Sequence, residues 1–202
     1  MVKATQYSLL ALLFVALSAS SMFAANLVTN GAFDADSPAA QTAPAGWTLT
    51  PAAGGSDFFV GSGPGFGALS APNSANFGAT SSSDDVLSQT ITDVAGQSYI
   101  LDYFLAHDST NSANDFSAWW NGSVIPGSAL VNQGAFGYTE FTFTVVGTGS
   151  DTLAFAGREN PAWYDLDNVS LTGAAATPEP ASLLLLGSGL LGAAIRRRKL
   201  NR

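Results

Sequence analysis

There is no cysteine in the 202 residues. That excludes disulfides and thiolate catalysis, and leaves burial and hydrogen bonding alone to hold the fold together. Positive charge is almost as scarce where it would matter. Of seven Lys and Arg, Lys3 lies at the start and five follow Ile195, so Arg158 is the one cation between Asn26 and Gly173, against fourteen acids. A middle segment near −13 repels nucleic-acid phosphates and anionic lipid, so nucleic acid is not an expected partner. Histidine occurs once, in Ala106-His107-Asp108, with no nucleophile elbow, zinc-ligand cluster or phosphate loop beside it. Helix signals are few between Asn26 and Thr172, where Gly, Ser, Asn, Asp and Pro recur every eight to twelve residues.

What the chain does carry is an address at each end. Lys3, the apolar run Ser8–Leu17 and the small residues of Ser18–Ala25 form a signal peptide over 1–25, cleaved near Ala24 or Ala25, with Ser20 the alternative. At the other end Pro178-Glu179-Pro180 closes a linker of 174–180. The uncharged segment 181–195 then forms a transmembrane helix, and 196–202 is a basic tail. Fifteen residues at about 1.5 Å each reach only about 22 Å, so this helix spans a membrane with snorkelling arginines or a locally thinned bilayer. Arg196, Arg197, Arg198 and Lys199 place the tail in the cytoplasm and everything before Thr177 outside.

Between these ends, 26–173 is long enough for one domain with a real core. Tyr138–Val146 alternates Phe141, Phe143 and Val145 with Thr142 and Thr144, and Val86–Thr92 alternates likewise. Tyr99–Leu105 is apolar on nearly both faces, as in a central covered strand. Further strands are expected at Leu27–Phe33, Trp47–Thr50, Phe58–Val60, Ser74–Phe77, Phe116–Trp120, Ser123–Ile125, Thr152–Ala156 and Tyr164–Leu171. Asn121-Gly122 signals a type I′ hairpin, and Gly147-Thr148-Gly149 is expected to pair Tyr138–Val146 with Thr152–Ala156. Gly54–Asn73 reads as an irregular rim. Leu166 and Val169 have opposite parity, so a bulge at Asp167-Asn168 is needed to bury both. An all-β sandwich is the economical architecture.

Two resemblances sharpen this. The order of Pro-Glu-Pro, small apolar helix and terminal arginine cluster resembles the PEP-CTERM sorting signal of Gram-negative bacteria. It implies export through the Sec machinery, transient anchoring in the inner membrane, recognition of Pro178-Glu179-Pro180 by an exosortase, and delivery to the cell surface or extracellular matrix. The alternative is a plain tail anchor. Separately, Asn26-Leu-Val-Thr-Asn-Gly-Ala-Phe-Asp34 followed by Gly46-Trp47, together with Trp163-Tyr-Asp-Leu-Asp-Asn-Val169, resembles galactose-binding-like jelly rolls. That class includes many carbohydrate-binding modules. The likeness implies that the two ends of the domain lie side by side and that a structural calcium sits near them, with Asp34 and Asp167 as carried-over ligands and Asp165 behind them. The alternative is that these acids cap turns.

Candidate chemistry follows from residue type. Sugars stack on exposed aromatics, which singles out Trp119, Trp120, Trp163 and Tyr164. Trp119 and Trp120 must point to opposite faces of a strand, one into the core. Asn114, Asp115, Asn132 and Gln133 are hydrogen-bonding candidates. Asp84-Asp85 is a carboxylate pair, although adjacent strand residues diverge, and Arg158 is expected to pair with an acid. The expectation is a non-enzymatic exported surface or matrix protein that binds exopolysaccharide. The alternatives are a purely structural protein and a hydrolase built on His107.

Overall fold

Twelve strands account for the ordered backbone of this computed structural model, which describes residues 25–63, 66–109 and 113–174. In chain order they are β1 (Ala39–Ala40), β2 (Thr48–Thr50), β3 (Phe59–Gly61), β4 (Ser74–Phe77), β5 (Asp85–Thr92) and β6 (Ser98–His107). They continue with β7 (Asp115–Trp120), β8 (Ser123–Val124), β9 (Leu130–Val131), β10 (Phe136–Val146), β11 (Ser150–Arg158) and β12 (Tyr164–Gly173). The signal segment, the Pro-Glu-Pro motif, the apolar segment 181–195 and the basic tail lie outside the described residues. Among those described there is no helix.

The strands form two antiparallel sheets. One runs β1-β3-β4-β12-β6-β10; the other runs β2-β5-β11-β7-β8, with β9 sharing the outer edge of β7. Every pairing is antiparallel, and the sheets face each other over a core of alternating side chains. Tyr103 of β6 sits at its centre, edge-on to Phe155 of β11 at 5.1 Å and stacked on Phe141 of β10 at 5.4 Å. Phe58, Phe77 and Phe116 continue this packing through edge-to-face contacts at 5.3 and 5.4 Å. The alternation read in β5 and β10 is realised: Leu87, Gln89 and Ile91 face inward, and Thr142 and Thr144 face out.

Local signals are also realised. Asn121 and Gly122 both take positive φ, 51° and 74°, and Trp120 pairs with Ser123 across them, as a type I′ turn requires. The β12 register shifts between Asp167 and Ser170, with Asn168 at φ 50°, and this bulge lets Leu166 and Val169 both enter the core.

Two expectations are corrected. Tyr138–Val146 and Thr152–Ala156 do not pair: β10 joins β6 in one sheet and β11 joins β5 and β7 in the other. Gly147–Gly149 therefore carries the chain between layers, so that Phe141 packs on Tyr103 within its own sheet and Phe155 meets the same ring from across the core. Leu27–Phe33 is a turn rather than a strand, since Asn30 and Phe33 adopt φ of 51° and 58°. Its ends still dock on β12: Leu27 N–H donates to the Leu171 carbonyl at 2.8 Å, and Val169 N–H donates to the Gly31 carbonyl at 2.9 Å. The two chain ends of the domain thus lie side by side.

A candidate binding groove on the outer face of one sheet

The outward faces of the two sheets differ. On the β4–β12–β6 face, parity turns Asp165 and Asp167 away from the core, yet both are fully buried, because residues 66–73 fold over them. Phe66 N–H donates to Asp165 Oδ2 at 3.4 Å, Ser70 N–H donates to Asp167 Oδ2 at 2.9 Å, and the Tyr138 hydroxyl donates to the Gly67 carbonyl at 2.8 Å. Burial drives the Asp165 carboxyl up to about 7. The stretch read as an irregular rim is a roof, and this face is closed.

The β5–β11–β7 face is open. Outward residues of β11 are small: Ala154 pairs with Ser88 of β5 and Trp119 of β7, and Ala156 pairs with Val86 and Ser117. The side chains between neighbouring strands leave a groove of about 390 Å³ lined by Asp84, Val86, Ser88, Trp119, Thr152, Ala154 and Ala156. Trp119 Nε1 donates to Ser117 Oγ at 2.8 Å, which fixes the ring's orientation along the strand. Beyond one end, Arg158 Nε donates to Asp115 Oδ2 at 2.8 Å and lies 3.5 Å from Asp84 Oδ1. Burial, the neighbouring Asp115 carboxyl and its charge raise Asp84 to about 6, and Arg158 pulls it back only in part. An aromatic wall, a small-residue floor and a carboxyl at one end suit a flat, largely apolar ring carrying a few hydroxyls.

The four aromatic candidates separate cleanly. Trp119 lines the groove, and Trp120, on the opposite parity, packs against the core with its Nε1 donating to the Val146 carbonyl at 3.0 Å. Trp163 lies elsewhere, over Gly78, with Nε1 3.4 Å from the Asp57 carbonyl. Tyr164 is corrected from a sugar platform to a core residue: it is fully buried, stacks on His107 at 4.3 Å, and its hydroxyl donates to Asn114 Oδ1 at 2.6 Å. Asn114 also ties down Gln133, and Asn132 Oδ1 accepts from Ala113 N–H, so these amides hold loops in place.

His107 is fully buried at the end of β6, with Nε2 2.9 Å from Glu159 Oε2 and Nδ1 3.1 Å from the Gly134 carbonyl. That carbonyl can only accept, so Nδ1 is the donor of that bond. Among the described residues neither nitrogen is bonded to a hydroxyl, and Asp108 instead accepts from Trp163 N–H at 3.1 Å. Asp85 accepts from Ala52 N–H at 2.9 Å, so the Asp84-Asp85 pair divides between groove and loop. Glu159 had no sequence signal. The small outward residues of Thr152-Leu-Ala-Phe-Ala156 did, since their parity is readable beside Leu153 and Phe155.

The calcium ligands carried over by resemblance do not fit a shared ion. Asp34 is exposed, whereas both oxygens of buried Asp167 already accept from Ser70, and one of them also from Asn168 N–H. Among the described residues no three His, Cys, Asp or Glu side chains are grouped to hold a metal. Asp36, two residues on, does the capping, accepting from Asn30 Nδ2 at 2.6 Å and Ala45 N–H at 2.8 Å.

Solved structures share this jelly-roll fold at low sequence identity. A family-61 carbohydrate-binding module solved with β-1,4-galactotriose aligns at TM-score 0.50 and 15% identity, over 74% of this chain and 99% of that one. The CBM22-1 xylan-binding domain of Paenibacillus barcinonensis Xyn10C aligns at TM-score 0.51 and 16% identity, over 78% and 100%. The enzymatically active domain of bacteriophage CBA120 tailspike protein 4 aligns at TM-score 0.53 and 14% identity, over 74% of this chain but only 21% of the tailspike. No curated protein sequence matches the chain. Residues 176–199 match the PEP-CTERM protein-sorting motif, and the described residues form an all-β jelly roll similar in fold to these modules.

Proposed function

We propose that this protein is exported through the Sec machinery, anchored transiently in the inner membrane, and handed by an exosortase to the cell surface or matrix. There it holds a neutral polysaccharide in the groove beside Trp119 without catalysing its cleavage. The observation that carries the reading is the half-buried Trp119 ring set against the small outward residues Ser88, Ala154 and Ala156 in an open groove. Two modules with this fold are described in complex with β-1,4-galactotriose and as a xylan-binding domain. The charge argument agrees: the domain is strongly acidic and its single cation, Arg158, is already shared by Asp84 and Asp115, which leaves nothing to receive a uronate. Those same pairings, with His107 buried against Glu159, favour binding over hydrolysis.

The test is affinity electrophoresis of the full chain in gels containing xylan, β-galactan or an acidic polysaccharide. Retardation by a neutral glycan is expected, with Trp119→Ala abolishing it while the circular dichroism spectrum is unchanged. Retention that survives Trp119→Ala places the ligand elsewhere, and no retardation in any gel rejects the reading in favour of a structural component.

A further inference from the structure

We propose that the free edge of β10 is the surface through which two copies of this chain join, antiparallel and two-fold about Thr142, into one continuous sheet. The other sheet edges among the described residues are blunt: β1 has two residues, β2 three, and β8 and β9 two each. β10 has eleven, and it pairs only with β6. Edge strands are ordinarily guarded by shortness, proline, lysine or a bulge. Phe136–Val146 contains no proline and no cation, and its one irregularity lies between Phe136 and Thr139, ahead of the regular stretch.

The ladder's parity says which groups are on offer. Gly147 N–H donates to the Gln97 carbonyl at 2.9 Å, one step past the Val146–Ser98 pair, and the Ser98 carbonyl is turned the other way to accept from Ala174. Pairs alternate in an antiparallel ladder, so Phe141, Phe143 and Val145 turn their backbone groups toward β6. Glu140, Thr142, Thr144 and Val146 turn theirs toward the open side.

Of the registers centred on a residue whose backbone groups face the open side, one suits a second copy. Pairing centred on Glu140 sets that carboxylate opposite itself, which like-charge repulsion disfavours. Pairing centred on Thr144 requires the Val146 carbonyl, which Trp120 Nε1 already occupies at 3.0 Å. Centring on Thr142 avoids both: Thr142 meets Thr142 of the second copy and Glu140 meets its Thr144, with about six backbone hydrogen bonds gained. The same register brings the half-buried Phe141 and Phe143 against Phe143 and Phe141 of the other copy and extends the aromatic layer across the junction. The strand's own sequence is therefore complementary to itself, which selects a second copy as the occupant over an unrelated peptide.

The absence of cysteine makes the register directly readable. Opposed residues in a hydrogen-bonded pair have Cα atoms about 5.5 Å apart, inside the ~4.4–6.8 Å span of a disulfide. Full-length chain carrying Thr142→Cys should run mainly as a linked dimer after oxidation. Glu140→Cys and Thr144→Cys should link poorly alone and well when mixed, and Thr90→Cys, exposed on the other sheet, should stay monomeric. Circular dichroism confirms that each variant is folded. A Thr142→Cys chain that remains monomeric overturns the proposal, as it would if another segment of the same chain covered the edge. Equal linking at all four positions overturns it as well, because that is random collision.

Discussion

Tyr103 illustrates how a single residue sets the terms of this core. Its ring packs between both sheets, yet its hydroxyl is fully buried with no hydrogen-bond partner, and burial drives that hydroxyl well above the ordinary tyrosine range. An unsatisfied buried polar group costs about 1–3 kcal/mol, whereas the ring's contacts with Phe141 and Phe155 would survive its loss. Tyr103→Phe is therefore expected to stabilise the protein by about 1 kcal/mol, seen as a higher urea midpoint at unchanged slope. A lower midpoint would mean that the hydroxyl is solvated or bonded in solution. Trp119 and Trp120 show the opposite case, where adjacent residues with the same chemistry have separate roles because strand parity sends one into the groove and the other toward the core.

At the scale of elements, the N-terminal turn and β12 form one unit. A Cβ added to Gly31 would lie 2.0 Å from the Val169 carbonyl, so glycine is required by close approach to the bulged strand. Gly31→Ala is expected to cost about 2–3 kcal/mol and to loosen the turn first. Hydrogen exchange would report this at Leu27 and Val169, whose N–H groups bond across the junction; unchanged protection there would refute the coupling. This unit also marks what was legible in the sequence. The Asn-Gly motif and the parity conflict of Leu166 and Val169 were visible as local rules, as were the alternating strands β5 and β10, and Ser74–Phe77 matches to the residue. Strand partners were not, because pairing is decided by distant side chains: the glycine turn after β10 looks like a hairpin until Phe141 and Phe155 are seen to need opposite layers. The roof of 66–73 was hidden for the same reason, since its anchors, Asp165 and Asp167, lie about a hundred residues away. Of the groove, the aromatic wall was readable in the Trp-Trp pair, while its Asp84–Arg158–Asp115 end required three separate strands or loops to converge.

For the molecule as a whole, buried acids determine how stability responds to pH. Burial raises Asp165 to about 7 and, with the Asp115 carboxyl, Asp84 to about 6, and it also raises Asp85 and Asp167. In each case the native carboxyl holds its proton at a pH where the unfolded chain, with ordinary carboxyls near 3.8, has released it. The native state then binds more protons than the unfolded state between about 3.8 and 7, so stability must rise as pH falls through that window. Neutralising part of a domain that carries one cation against fourteen acids acts in the same direction. Asp151 is the exception. Burial pushes it up, but hydrogen bonds from Thr148 and Asn121 help hold it down at about 2, so its contribution is present above 3.8 and fades as the pH drops toward 2. The melting temperature should accordingly climb from pH 8 to pH 5 and fall again in strong acid. Asp165→Asn isolates the main group: it keeps an oxygen for the Phe66 N–H but has no charge to bury, so its melting temperature should exceed that of the parent at pH 8, and the gap should narrow steadily as the pH falls toward about 3.8. A parent protein that loses stability between pH 8 and pH 5 would show that the roof over Asp165 is open to water, and the closed face assigned to that sheet would have to be withdrawn.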